Sequence, residues 1–239
     1  YINSMTAVKE ALRTEEEELK EIMKSWQLLM VQIPNVPDMS VPDGESDADN
    51  KEVKNWGEIP KFSFEPKSHI DIMQRLDMVD FDRGTKVAGF RGYFLKNDGA
   101  LLSFAVWNYA MDFFLKKGFN PFIVPSLVRR ETLMGTGYLP QGEEDLYKTQ
   151  DGDFLAGTAE VATMGYYMDE ILPGTDLPKK FLSFSPCFRR EAGSHGKDVK
   201  GLIRVHEFYK LEQVVLCEAI HETSVAHHEE LNRNTEEFI

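Results

Sequence analysis

The chain has 239 residues, with 40 Asp and Glu against 27 Lys and Arg, a formal charge of −13 that argues against broad, non-specific nucleic-acid binding but leaves room for a local basic patch. Its 42% hydrophobic content is too high for a disordered chain, and no apolar run approaches the roughly 20 residues of a membrane-spanning helix. Cys187 and Cys217 lack CxxC-type spacing, which leaves no basis for a zinc site or a disulfide framework, and "YINSMTAVKE" has neither the basic nor the apolar region of a signal peptide, so a reduced cytoplasmic setting is expected.

The first element is a helix over Thr6 to Ile33. Val8, Leu12, Glu15, Leu19, Ile22, Trp26, Leu29 and Ile33 step alternately by four and three, a heptad seam broken only at Glu15. Such a helix is either one amphipathic helix docked on the main domain or the returning limb of an antiparallel hairpin whose other limb precedes Tyr1. The prolines of "IPNVPD" end it. "SVPDGESDADNKEVKNWGEIP", acidic and rich in turn formers, reads as a linker. The resulting division is 1–36 for the helical segment, 37–60 for the linker and 61–239 for the main domain. The chain starts within a helical pattern and ends at Ile239 without a stop signal, so a fragment of a longer protein is expected.

"SHIDIMQRLDMVDF" predicts a short helix. A second runs from Ala100 to Lys117, with Asp98 as its cap and Gly118 as its stop. The second helix is apolar on more than one face and needs cover from two sides, in a deep core or in a subunit interface. Short strands follow at Phe122–Val124, Phe154–Ala156 and Phe181–Ser185, then a strand over "VHEFYKLEQVVLC" and a polar helical tail from Ala219. Without regular crossover helices, the fold class is α+β, a mostly antiparallel sheet flanked by helices.

Alternation along "RVHEFYKLE" puts Arg204, His206, Phe208, Lys210 and Glu212 on one face, with Val205, Tyr209, Leu211 and Val215 facing a core. Arg204, Phe208 and Glu212 are then spaced by about 13 Å along one groove. A guanidinium, a ring and a carboxylate in a row can meet a phosphate, a base and an ammonium. Arg189 and Glu191 share a face of the preceding strand, and antiparallel pairing brings them toward Arg204 and Phe208. Two arginines on one groove suit a polyphosphate, because guanidinium pairs bidentately with phosphate oxygens. Thr158 and Glu160 of "GTAEVA" offer a hydroxyl and a carboxylate from one strand face, or form a turn of the capping-box kind. The histidines, including His195, His206 and the pair His227–His228, are read as structural or solvated. The sequence shows no nucleophile–base pair, phosphate-binding glycine loop or metal-ligand spacing.

Taken together and in this order, these stretches resemble the bacterial-type seryl-tRNA synthetases, a family of class II aminoacyl-tRNA synthetases. "IPNVPDMSVPDG" is similar to the junction between tRNA-binding arm and catalytic domain. "GFNPFIVPSLVRRETLMGTGYLP" resembles motif 1, with Pro125 as its proline, "GTAE" the serine-binding loop, and "FRREAGSHGKDVKGLIRVHEFYKLEQ" motif 2. The resemblance implies a class II catalytic fold that activates L-serine with ATP, accompanied by Mg2+, and passes it to tRNA(Ser). It implies a homodimer through motif 1, the Asp98–Pro125 region. Arg189 would hold the α-phosphate and the serine carboxylate, Glu191 the adenine end, and Phe208 would stack on adenine, with Arg190, Arg204 and Val205 on the nucleotide side. Thr158, Ala159, Glu160, Arg189 and Glu212 would form the serine pocket, Glu212 near the ammonium and Glu160 near the hydroxyl. Arg189 and Glu191 are the implied catalytic pair.

Arg190 stands where the family usually has a small residue and Glu207 where bacterial members have Gln; both fall on the opposite strand face by parity. The third motif, Gly-Leu-Ala followed by Arg, is expected beyond Ile239, so this stretch alone should be inactive or nearly so. Two other readings keep the fold: a ligase loading a carrier protein, and a non-catalytic dimerising paralogue.

Overall fold

The computed structural model describes residues 2–192 and 200–239. Residues 193–199, His195 among them, therefore lie outside the described residues. The chain divides into two units, Tyr1–Pro66 and Lys67–Ile239. The first holds a 29-residue helix, α1 (Ile2–Met30), whose seam residues Val8, Leu12, Leu19, Ile22, Trp26 and Leu29 are all exposed. The helix ends one turn earlier than the periodicity suggested, ahead of Pro34. A single 3-10 turn, Asp47–Asp49, is capped by Ser46 in the acidic stretch that follows.

The second unit opens on α2 (His69–Arg75), started by the Ser68 hydroxyl accepting from the Asp71 N–H. Next come β1 (Val79–Asp80), α3 (Phe81–Ala88, capped by Asp80) and β2 (Phe94–Leu95). In α4 (Asp98–Lys116) the cap position is Asn97, not Asp98. Asn97 takes φ +50°, a conformation Asn tolerates better than most residues, and its amide bonds back to Asp77, while Asp98 lies in the first turn. Gly118 ends the helix at φ +85°, as a residue without Cβ can. Then follow β3 (Asn120–Ile123), β4 (Leu127–Val128), α5 (Arg130–Gly135), β5 (Tyr147–Lys148), β6 (Phe154–Leu155), α6 (Ala159–Gly165), β7 (Lys179–Phe188), β8 (Glu207–Leu216) and α7 (His221–Phe238).

Among the described residues, every strand pair is antiparallel except β3 with β7. The main sheet has the order β3–β7–β8, and β4–β6–β5 form a second. Leu182 of β7 is fully buried with Ala110 and Phe114 of α4 and Phe119, and Leu211, Val215 and Phe238 pack against them. Leu133, Leu139, Phe154 and Val161 form the other core, under β6 and α6. One face of the main sheet is thus closed by α4 and α7, which leaves the other to α6 and the residues before it. Of the four β8-segment residues expected in the core, Tyr209 is the exception. It stacks on Phe184 with centroids 5.6 Å apart and is half exposed, at the rim of a cavity of about 650 Å³ that Arg91, Tyr93 and Glu207 also line. α4 buries Ala110 and Phe114 but exposes Leu101, Leu102, Phe104, Val106 and Tyr109. No helix among the described residues is long and apolar enough to cross a membrane.

Candidate active site

The site grows from the register of β7 and β8. Ser183 pairs with Glu212, Ser185 with Lys210 and Cys187 with Phe208, so three small buried residues of β7 lie beside three long ones of β8 on the same face. Small side chains on β7 leave room for α6. Thr163 of α6 donates to the Ala159 carbonyl at 2.8 Å and shares a hydrogen bond with the Ser183 hydroxyl at 2.7 Å, which seats the helix on the sheet. Its N-terminus then falls on Glu212.

There Thr158, 2% exposed, donates its hydroxyl to the Glu212 carboxylate, 2.6 Å from either oxygen, and the Glu160 backbone N–H donates to Oε2 at 3.0 Å. The expectation of Thr158 and Glu160 on a strand face is corrected. Thr158 is the N-cap position of a helix and Glu160 belongs to its first turn. Thr158 makes no side-chain cap bond of its own. A carboxylate from another strand satisfies that end of the helix instead, which sequence neighbours alone could not reveal. Lys210 completes the cluster, with Nζ 3.1 Å from Glu212 Oε1 and 3.1 Å from the Thr158 hydroxyl. The Glu160 carboxylate accepts from the Tyr138 hydroxyl at 3.4 Å. Burial first, then the charges of Glu160 and Glu212, push the Tyr138 phenol above its ordinary range, so it remains a donor. Burial likewise pushes the Cys187 thiol up, and it stays an inert neighbour.

Just past the strand ends lies the cationic part. Arg189 Nε donates to the Gly157 carbonyl at 3.2 Å, and its guanidinium carbon is 5.3 Å from the centre of the Phe208 ring. Any Cβ on Gly157 would come within 3.2 Å of Arg189 Cγ. The Arg189 backbone is held twice by His206: its N–H donates to the His206 carbonyl at 2.9 Å, and its own carbonyl accepts from His206 Nδ1 at 3.0 Å. His206 is thus the satisfied histidine the sequence suggested, although not on a strand.

Three strand-based expectations fail here. β8 begins at Glu207, so Arg204 and His206 do not extend its alternating face, and Arg204 is not on a line with Phe208 and Glu212. β7 ends at Phe188, so Arg189 and Glu191 follow it, and Glu191 turns out of the extended region at φ +54°. Backbone bonds from Arg190 N to the Asp145 carbonyl at 3.0 Å, and from Ala192 N to Asp145 Oδ1 at 3.1 Å, bend the exit toward the turn at Glu144 and Asp145. The pairing of the two segments nonetheless occurs: Arg204 Nη1 meets Glu191 Oε2 at 2.6 Å. Arg190 donates to the Glu144 carbonyl at 3.1 Å, Glu207 is exposed on the opposite sheet face, and Val205 is buried. Lys210, which parity placed on the site face without a role, and Tyr138 and Gly157, which carried no signal of their own, are the additions the structure makes.

Residues 147–239 match the family described as tRNA synthetase class II core domain (G, H, P, S and T). A serine–tRNA ligase of Treponema denticola is 45% identical over 234 residues, 97% of this chain and 55% of that protein. The serine–tRNA ligase of Deinococcus radiodurans is 44% identical, covering 95% of this chain and 54% of its own length. Among solved structures, the seryl-tRNA synthetase of Pyrococcus horikoshii complexed with ATP superposes with a TM-score of 0.87 at 37% identity, over 93% of this chain and 54% of that one. The cytoplasmic serine–tRNA ligase of Naegleria fowleri in complex with AMP gives 0.85 at 33%, over 94% and 53%. The chain spans about half the length of the curated relatives it matches. Over that half it matches these seryl-tRNA synthetases, relatives and solved structures alike, and residues 147–239 match the class II tRNA synthetase core domain.

Proposed function

We propose that the protein carrying this chain is a serine–tRNA ligase. A serine carboxylate oxygen attacks the α-phosphorus of ATP, the bond to the bridging oxygen breaks, and pyrophosphate leaves with that electron pair. A tRNA(Ser) 3′-terminal hydroxyl then attacks the carbonyl of the mixed anhydride and releases AMP. The observation that carries this reading is the juxtaposition of Arg189, braced on Phe208 and Gly157, with the Glu212–Thr158–Glu160 cluster on the same face of β8. Arg189 neutralises charge on the α-phosphate and orients the serine carboxylate. Phe208 offers ring surface to adenine, with Glu191, Arg204 and Val205 on the nucleotide side. In-line displacement of this kind needs positioning and charge neutralisation more than a side-chain base.

Within the pocket, the donor count favours the opposite of the assignment the resemblance implies. Glu212 already meets the ammonium of Lys210 and two further donors, so a second ammonium there would face a like charge. Glu160, whose carboxylate meets the Tyr138 hydroxyl, takes the serine ammonium, and Glu212 and Thr158 read the hydroxyl. Mg2+ would accompany the phosphates. Among the described residues no group of three or more His, Cys, Asp or Glu could hold the ion, and each role given above belongs to a side chain of this chain.

The domain limits fit this reading as a helical arm at 1–36, a linker at 37–60 and catalytic residues at 61–239, acting in the cytoplasm. The exposed apolar seam of α1 suits a second helical limb and tRNA contact, and the exposed residues of α4 with Ile123 and Leu127 suit a homodimer through motif 1. The test is serine-dependent exchange of pyrophosphate into ATP by the full-length protein, together with charging of tRNA(Ser). Both should be present in the wild type, and exchange should be lost in Arg189→Ala and Glu212→Ala. Normal exchange in both variants sinks the assignment.

A further inference from the structure

One cation, Lys210, stands in the amino-acid end of the site. Lys210 reaches past Thr158 to Glu212, with Nζ at 3.1 Å from each, and its side chain is 34% exposed where that of Glu212 is 17%. It stands between Phe208 and Glu212 on the site face of β8, opposite buried Ser185. The two pocket carboxylates therefore differ electrically. Glu212 is met by a full positive charge, a hydroxyl and a backbone N–H, whereas Glu160 meets only the neutral Tyr138 hydroxyl among the hydrogen bonds described.

We infer that Lys210 determines specificity through Glu212: its ammonium neutralises that carboxylate, which then accepts a neutral hydroxyl from the amino acid's side chain and refuses a second ammonium. Specificity of this sort is built as much from repulsion of the wrong group as from attraction of the right one. Without Lys210, two carboxylates of similar charge would face the substrate. An amino acid with an amine in place of the serine hydroxyl would then be well served, one ammonium on each acid. The inference rests on the proposed function, since it supposes that the amino acid binds between Glu160 and Glu212. Lys210 acts through Glu212 and is a positioning residue.

The probe is 2,3-diaminopropionate, serine with an amine replacing its hydroxyl, compared with serine in pyrophosphate exchange by the full-length protein at mildly acidic pH. The wild type should use serine and exclude the diamine. In Lys210→Met the preference for serine should fall by roughly 10- to 100-fold, with the serine KM rising more than kcat falls. That fall should shrink as rising pH removes the diamine's extra proton. Lys210→Arg, which keeps the charge, should retain the preference. Lys210→Gln serves as a second neutral variant if Lys210→Met fails to fold, as judged by its thermal melt. An unchanged preference in a folded neutral variant overturns the inference. So does equal loss in Lys210→Arg, which would mean that Lys210 only ties Thr158 to β8. A wild type that accepts the diamine as readily as serine overturns it too. Failure of the ligase reading itself shows separately, as a wild type without any serine-dependent exchange.

Discussion

The two ends of the candidate site are built on different principles. The Glu212 end is assembled from regular elements, a strand face and a helix start. Its carboxylate is fixed by contacts of 2.6, 3.0 and 3.1 Å from three other residues. The Arg189 end lies past the last residues of β7 and before the first of β8, where backbone bonds to His206 and to Asp145 replace the ladder. Its cation is more open, Arg204 being 45% exposed against 34% for Lys210, although its carboxylate, Glu191 at 11%, is less exposed than Glu212 at 17%. Rigid, buried polar contacts suit a small ligand that must be told from near-isosteres, because an unmatched donor there is left unpaired. A more open cationic end suits a phosphate chain, whose recognition rests on charge. If so, damage at the two ends should be separable into effects on serine and on ATP.

The largest separation is expected from Glu212→Gln, which keeps the volume but leaves Lys210 without its counter-charge. In the full-length protein, kcat/KM for serine should drop by roughly a hundredfold or more while the KM for ATP moves little. Steady-state exchange with each substrate varied in turn reads this directly, and equal losses for both substrates would erase the distinction between the ends. Arg189→Lys comes next. It keeps the charge but not the planar fork or its fit over Phe208, and should cost about 10- to 100-fold, chiefly in kcat and in kcat/KM for ATP. Gly157→Ala sharpens the same point without touching a charge. The added methyl would meet Arg189 Cγ at 3.2 Å, so the arginine must shift by a few tenths of an ångström. Several-fold loss in kcat is expected, roughly in proportion to the hundredfold that a full ångström of misplacement can cost.

The same contrast explains what could be read from the sequence. Inside β8 the alternation of side chains is a backbone property, so Phe208, Lys210 and Glu212 on one face followed from position alone. Extending that alternation to Arg204 failed because β8 starts at Glu207, and extending it to Glu191 failed because the backbone turns at φ +54°. Ladder ends are decided by long-range contacts such as that of Arg190 with Asp145. A three-residue pattern does not say which element holds it, so Thr158 fits a strand face or a turn of the capping-box kind, and it stands at a helix start. The Thr158–Glu212 bond spans 54 positions, so the partner that caps α6 had no local signature. Motif order carried the resemblance through all this, since it depends on residue identity rather than on where a strand ends, and the α+β class followed from the order of strands and helices alone.

The smallest expected effect lies at the pocket end. Tyr138→Phe removes a single hydrogen bond of 3.4 Å to Glu160, and should raise the serine KM by only about two- to threefold at neutral pH. Its sharper signature is alkaline. Burial is the main reason the Tyr138 phenol titrates above its ordinary value, with the Glu160 and Glu212 charges adding to it. Between the unfolded value, about 10, and the higher folded one, the folded protein binds more protons than the unfolded chain, so stability is full below that window and falls as pH rises through it. Phenylalanine has no proton to lose and escapes that part of the decline, whereas Tyr93, also raised by burial, contributes equally to both proteins. Thermal melts of the two proteins should therefore converge as the pH is taken from 8 to about 11, any neutral-pH advantage of the tyrosine shrinking. Parallel curves would mean that the hydroxyl beside Glu160 is open to solvent, and the pocket end would then be less closed than its hydrogen bonds make it.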